Sequence, residues 1–320
     1  MRFILFTLIT MFASSAHAVT LLTQTMSLEV SDGTLRGVLL LPKTASPPPV
    51  ALLIAGSGPT DRDGNNPMGR NDSLKRLAQG LAKHGIASLR YDKRGVGRSA
   101  SVAPQESQLS VNDFLSDAVA WAELLKADPR FSAVILIGHS EGALIASLAE
   151  PAVEPEGLIT IAGSGRPIGQ LLREQLQGRL PPPLLASANY LIDELDAGRR
   201  HAQVPDALQV LFRPSVQPYL ISLFKNDPAT AFGRTTSPAL IIQGTHDIQV
   251  EQQDAQRLQR ARADAELAMI SGMNHVLRIV PRDYERQIAS YNQPELPIAH
   301  ALVERIASFF SEHGLLPSSS

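Results

Sequence analysis

Six short runs of almost unbroken apolar residues recur along this chain: "VALLIAG" at 50–56, "IASLRYD" at 86–92, "AVILIGHS" at 133–140, "GLITIAG" at 157–163, "PALIIQG" at 238–244 and "AELAMISG" at 265–272. None alternates polar with apolar, as a strand with one wet face would. Each reads as a strand buried on both faces. Helical patterns lie between them, at 73–85, 111–128, 141–150, 252–263 and 298–314. Strand alternating with helix predicts a doubly wound, mostly parallel α/β sheet, in which right-handed crossovers bring the loops after each strand to one edge. Ahead of these runs, residues 26–41 read as two strands about the turn Ser31-Asp32-Gly33, an antiparallel hairpin at the start of the sheet.

One stretch breaks the rhythm. From Arg166 to Thr236 no buried strand is apparent; helical patterns such as "IGQLLREQLQGRL" alternate with Pro181 to Pro183, Pro205, Pro214, Pro218 and Pro228. This predicts a helical cap inserted over the sheet edge, dividing the core into 19–165 and 237–320. Residues 1–18 differ in kind: Arg2, an apolar run from Phe3 to Phe12, then "ASSAHA". They read as a secretory signal cleaved after Ala18, with export to the bacterial periplasm and no stable membrane span once the signal is gone. A membrane anchor is the alternative, but the run is shorter than the roughly 20 residues a spanning helix needs. The chain contains no cysteine, which excludes disulfides, cysteine nucleophiles and zinc-thiolate sites. A net charge of −2, with Lys and Arg scattered, gives nucleic acid no basic face to meet.

Chemistry concentrates at "GHSEG", residues 138–142. Ser140 falls at the junction of a buried strand and a helix, where a sharp turn holds the hydroxyl clear of its backbone; Gly138 and Gly142 keep side chains out of the crowded turn. A hydroxyl needs a base to become a nucleophile. Asp247, in "GTHD" after the strand at 238–244, and His275, in "MNH" after the next strand, would reach the same sheet edge in the order acid then base. His275 can take the Ser140 proton if Asp247 fixes its tautomer. His139 is read as packing or hydrogen-bonding beneath the site, and His246 as a poorer base because it adjoins the acid.

An oxyanion hole needs two donors. The Glu141 amide opens a helix, and the glycine-rich "AGSGP" after the first buried strand offers Ser57, with Gly58 as the rival. The following "TDRDGNN" reads as a polar turn in which Asp61, Arg62 and Asp63 pair locally; it lacks the full spaced ligand set of a calcium loop. "RYDKRGVGRS", residues 90–99, lacks the order of a dinucleotide or triphosphate loop and reads as structural, with Asp92 pairing with Arg94.

Taken together, "GHSEG", "GSGPTDRDGN", "YDKRGVGRS", "GTHD" and "NH" resemble the α/β-hydrolase superfamily, and most nearly its serine aminopeptidase-like or carboxylesterase-like branch. The resemblance implies Ser140 as nucleophile, His275 as base, Asp247 as acid, and the Ser57 and Glu141 amides as the oxyanion hole, with no metal or organic cofactor. Many relatives begin the oxyanion loop with His-Gly, whereas Ala55-Gly56 stands here, so the motif does not itself supply a hydrogen bond beneath the loop. Three functions follow. The first is an exported serine esterase of short acyl chains, whose pocket would draw on Leu184, Leu185, Tyr190, Leu191, Leu211, Phe212, Tyr219 and Phe224. The second is an aminopeptidase or other amide hydrolase with the same triad, reading a free amine through Asp193, Glu194 or Asp196. The third is a binding protein that keeps the fold without the chemistry.

Overall fold

The computed structural model describes residues 20–102 and 105–316, so the proposed signal and its cleavage site lie outside the described residues. Eight strands form one sheet: β1 (Leu21–Val30), β2 (Gly33–Pro42), β3 (Val50–Ile54), β4 (Ala87–Tyr91), β5 (Val134–His139), β6 (Gly157–Ile161), β7 (Ala239–Gly244) and β8 (Glu266–Ile270). Their order is β1-β2-β4-β3-β5-β6-β7-β8, antiparallel through β2 against β4 and parallel from there on. Every expected strand is present within a few residues. The hairpin closes through Ser31 and Asp32 alone, since Val30 already pairs with Gly33.

The helices follow in chain order. They are α1 (Ser73–Lys83), α2 (Val111–Lys126), α3 (Glu141–Val153), α4 (Ile168–Leu176), α5 (Pro182–Asp196), α6 (Gln209–Phe212), α7 (Gln217–Phe224), α8 (Pro228–Gly233), α9 (Gln252–Ala261), α10 (Tyr284–Ser290) and α11 (His300–Glu312). Five of them, α4 to α8, occupy the segment between β6 and β7. The short α10, which follows the His275 turn, had no periodic signal long enough to announce it.

The apolar runs are continuous because the sheet is covered twice. Leu52, Ile54 and Leu136 point into a core shared with α2, α3 and the inserted helices. Their neighbours Ala51, Leu53, Ile135 and Ile137 point the other way, against α1 and α11. β8 departs from the expectation of two buried faces: it pairs only with β7, and four of its five residues keep some exposure, because it is the edge of the sheet.

Two expected ion pairs are replaced by others. Asp92 does not pair with Arg94; it accepts the backbone N–H groups of Arg62 and Arg98 and faces the Arg62 guanidinium at 3.2 Å. Arg94 instead clasps Asp117 of α2 through Nε at 2.6 Å and Nη2 at 2.7 Å, and reaches Asp32 in the hairpin turn at 2.9 Å. Nor do Asp61 to Asp63 pair among themselves: Asp61 Oδ1 accepts the amides of Asp63 and Asn65, while Asp63 meets Arg90 at 3.1 Å. The parallel packing of β3 beside β4 sets the loops after them against each other, so their charges cross between loops. Gly97 is needed here, because a Cβ would lie 2.5 Å from Asp92 Oδ2.

Arg94 and Asp117 are both buried, and removing one leaves the other uncompensated. Asp117→Ala is expected to lower the unfolding free energy by about 3 kcal/mol in urea titration, and the double variant Asp117→Ala/Arg94→Met to recover part of that loss.

Candidate active site

Ser140 links β5 to α3 with φ 56° and ψ −121°, a conformation that residues bearing a side chain rarely hold. Crowding imposes it. A Cβ on Gly138 would collide with the carbonyl oxygen of Gly142, and one on Gly142 with that of Ile54, so both positions must be glycine for α3 to start this close to β3 and β5. Glu141 then opens α3, and its backbone N–H donates to no acceptor among the described residues.

The glycine loop after β3 comes up beside this turn. A Cβ on Gly56 would stand 3.1 Å from Ser140 Cβ, which makes the Gly56–Ser57 peptide the neighbour of the nucleophile candidate. Ser57 is exposed, and its amide likewise donates to no described residue. The Ser57 carbonyl accepts from Thr60 Oγ1 at 2.7 Å. Gly58 has φ +65° and open space around it.

Sequence reasoning missed what holds this loop. Lys93, 5 % exposed, donates from Nζ to the Gly56 carbonyl at 2.5 Å and to the Gly58 carbonyl at 2.8 Å, with its ammonium 5.5 Å from the centroid of the Phe114 ring. Burial pulls the Lys93 pKa below its ordinary value, and the nearby Glu141 carboxylate opposes that. The available signal was a lysine in "YDKRG" together with the apolar Ala55 where a polar support was wanted. Tyr219 of α7, expected among the pocket-lining residues, also makes a polar contact: its hydroxyl donates to Glu141 Oε1 at 2.6 Å, and its ring meets Phe114 edge-on at 5.4 Å.

The turns after β7 and β8 carry Asp247 and His275 to the same edge. His275 Nδ1 and Asp247 Oδ2 are 2.8 Å apart, with both side chains buried. Asp247 Oδ1 accepts the amides of Gln249 at 2.8 Å and Val250 at 3.0 Å. Burial pushes this carboxyl up, but the His275 ring and the two amides outweigh it and hold the pKa below its ordinary value. The His275 carbonyl accepts from His139 Nε2 at 2.8 Å, and the two imidazoles lie 4.9 Å apart between centroids. Burial first, and the His275 ring second, push His139 down to about 4, so it is neutral at pH 7 with its proton on Nε2. Ser140 Oγ makes no hydrogen bond to the His275 ring among the described residues; such contacts commonly close only around substrate. His246 is turned away, its Nδ1 against the Val280 carbonyl at 2.6 Å.

The inserted helices are tied down on this side. Arg166, just before α4, bonds Asp254 of α9 at 2.9 and 2.7 Å, and Gln175 donates to the Gln249 carbonyl beside Asp247 at 2.9 Å. Of the apolar residues proposed to line a pocket, Leu191, Phe212 and Phe224 are buried in the core, while Tyr190 and Leu211 are exposed. Of the acids proposed to read an amine, Glu194 is engaged by Arg199 and His201, and Asp193 by Arg173.

The family model described as "Serine aminopeptidase, S33" matches residues 70–279, well over half of the chain. The protein belongs to the S33 family of α/β hydrolases. Esterase EstD of Thermotoga maritima is 29% identical over 257 residues, 78% of this chain, and the chain spans only 60% of that relative's length. Among solved structures, Est1E of Butyrivibrio proteoclasticus with ferulic acid bound has a TM-score of 0.60 at 16% identity, covering 90% of this chain and 98% of its own. Proline iminopeptidase of Mycobacterium smegmatis has a TM-score of 0.59 at 18% identity, covering 91% and 99%. These two likenesses establish the shared fold. The S33 match takes in Ser140, Asp247, His275 and Lys93, and starts beyond the glycine loop that Lys93 supports.

The neutral His139 has a pH consequence. Its pKa in the folded state lies below the unfolded value of 6.5, so as pH falls through 6.5 the unfolded chain takes up a proton that the folded one refuses until about 4. Between pH 7 and pH 4 the wild type should therefore lose about 3 kcal/mol more unfolding free energy than His139→Gln, which keeps an N–H donor for the His275 carbonyl; urea titrations across that range measure it.

Proposed function

We propose that this S33 member is an exported serine hydrolase that cleaves carboxylic esters of short acyl chains. The observation that carries this reading is the buried His275–Asp247 pair, 2.8 Å apart, at the sheet edge where the strained Ser140 turn also ends. In it, Ser140 Oγ attacks the ester carbonyl as His275 Nε2 takes its proton, while Asp247 accepts from Nδ1–H and stabilises the imidazolium. The amides of Ser57 and Glu141 face the oxyanion. The tetrahedral intermediate collapses as His275 returns the proton to the departing alkoxide, leaving an acyl group on Ser140. Water, activated by the same imidazole, then releases the acid.

Ester over amide is supported by the likeness to Esterase EstD, and by the pairing of Glu194 and Asp193 with cations of their own segment. Short acyl chains are supported by the burial of Phe212 and Phe224 within the core, which removes two of the large side chains expected to line the acyl pocket. The family description favours a second reading, removal of an N-terminal amino acid by the same residues. Export rests on the sequence of residues 1–18 alone.

A chromogenic ester series from acetyl to dodecanoyl, run beside aminoacyl anilides, tests the function. The expected result is turnover that peaks at the short esters, spares the anilides, and falls by about 10⁴-fold or more in Ser140→Ala with an unchanged melting transition. Faster anilide cleavage would promote the peptidase reading, and full activity in Ser140→Ala would overturn the triad. For export, a periplasmic extract of a bacterial host expressing the full chain should contain a product beginning at Val19.

A further inference from the structure

The oxyanion loop contains Gly56 and Gly58 on either side of Ser57, two residues with no side chain to anchor them and the greatest conformational freedom to lose. Its amide must nevertheless stay aimed at one point, because a misplacement of about 1 Å in such a donor costs on the order of 100-fold in rate. Ala55, just before the loop, contributes nothing polar. Thr60 Oγ1 holds the Ser57 carbonyl at 2.7 Å, and the Lys93 ammonium bridges the carbonyls of Gly56 and Gly58 at 2.5 and 2.8 Å.

The geometry of a peptide gives that bridge a direction. All described peptides are trans, so the carbonyl of Gly56 and the N–H of Ser57 point to opposite sides of one planar unit. With the oxygen held on the Lys93 side, the N–H is turned to the other, where it meets no acceptor among the described residues. The second carbonyl precedes Pro59, which has no N–H, so holding it withdraws no donor from the loop. The ammonium itself is enclosed, lying against the Phe114 ring of α2, where charge-assisted hydrogen bonds are stronger than in water.

We propose that Lys93 is a positioning residue for catalysis: it staples the Gly56–Ser57–Gly58 loop from behind and so orients the Ser57 amide toward the oxyanion. The inference rests on the proposed serine hydrolase chemistry, but it also has a readout independent of the natural substrate. A fluorophosphonate forms a tetrahedral adduct on an activated serine, and its oxygen occupies the same oxyanion site.

The absence of cysteine from the natural chain permits a clean test. Lys93→Cys, alkylated in denaturant and refolded, carries only the thiol just introduced. Bromoethylamine restores an ammonium at the length of lysine, and bromopropane gives an uncharged side chain of the same length. Wild type taken through the same cycle is the control, and Lys93→Met is a second uncharged form. Relative to the aminoethylated protein, the propylated one and Lys93→Met should show kcat for a short ester lower by about 10- to 100-fold with KM changed less than about threefold, and a parallel slowing of Ser140 phosphonylation. Their melting transitions should stay native, since replacing a buried charge by an apolar group of similar size is often neutral.

Equal rates in the aminoethylated and propylated forms would overturn the proposal. So would a loss of kcat matched by loss of the melting transition in both uncharged forms, which would assign Lys93 to folding. If wild type is phosphonylated at Ser140 but cleaves no ester, the substrate reading fails while the Lys93 effect on labelling still decides this one. If Ser140 is not labelled at all, both fail.

Discussion

The close approach of three backbones governs this molecule. β3 and β5 are parallel neighbours, with Ile54 beside Gly138, and α3 begins almost in contact with both. Only glycine at 138 and 142 leaves room for the carbonyls of Gly142 and Ile54. With α3 pressed that close, the chain has one residue in which to turn from strand to helix, and Ser140 bears the strain at φ 56°. The same approach sets the loop after β3 beside the serine, and the amides of Ser57 and Glu141 donate to no acceptor among the described residues. The strain at Ser140 and the nearness of the glycine loop share a single cause.

Around this centre, residues 90–94 connect the loop after β3, α2, the hairpin turn and the turn at Arg98. Arg90 meets Asp63, Tyr91 packs with Trp121, Asp92 gathers the amides of Arg62 and Arg98, Lys93 holds the glycine loop, and Arg94 clasps Asp117 and Asp32. Alternation along β4 and the turn after it throws successive side chains to opposite sides. A segment whose arginines and glycines look at first like a phosphate loop thereby commits Arg90, Lys93 and Arg94 to carboxylates and carbonyls of neighbouring elements.

What the chain discloses in its sequence follows the range of the interactions involved. The strands are legible because burial on both faces demands an unbroken apolar run, and that demand is local. The spacing of Ser140, Asp247 and His275 is legible for a related reason: each lies within a few residues after a strand of the parallel part of the sheet, and parallel topology delivers such positions to one edge. Partner choice is different. Whether Asp92 meets Arg94 or Arg62 depends on how two loops pack after β3 and β4, and charge pattern alone does not encode that. β8 has the composition of an interior strand and becomes an edge because no further strand pairs with it. Lys93 was hidden for the same reason: a lysine in a polar loop is usually solvated, and only the tertiary position of Gly56 and Gly58 gives its ammonium two carbonyls.

The inserted helices bear on the same centre from above. Tyr219 of α7 donates to the Glu141 side chain, while the Glu141 amide faces the Ser140 turn, so the helical segment grips the first residue of α3. Phe114 lies between the two supports, edge-on to the Tyr219 ring and under the Lys93 ammonium. One amide thus belongs to a residue held by the insertion, and the other to a loop held by the core. The polar ties to the rest of the protein include Tyr219 to Glu141, Gln175 to the Gln249 carbonyl, Arg166 to Asp254, and Arg213 and Ser215 to Glu106. Between these ties Leu191, Phe212 and Phe224 join the core that also holds Leu52, Ile54 and Leu144, while Tyr190 and Leu211 are exposed. The insertion is therefore continuous with the core beneath it, so a substitution at one of its buried positions is felt at α2 and α3 as well.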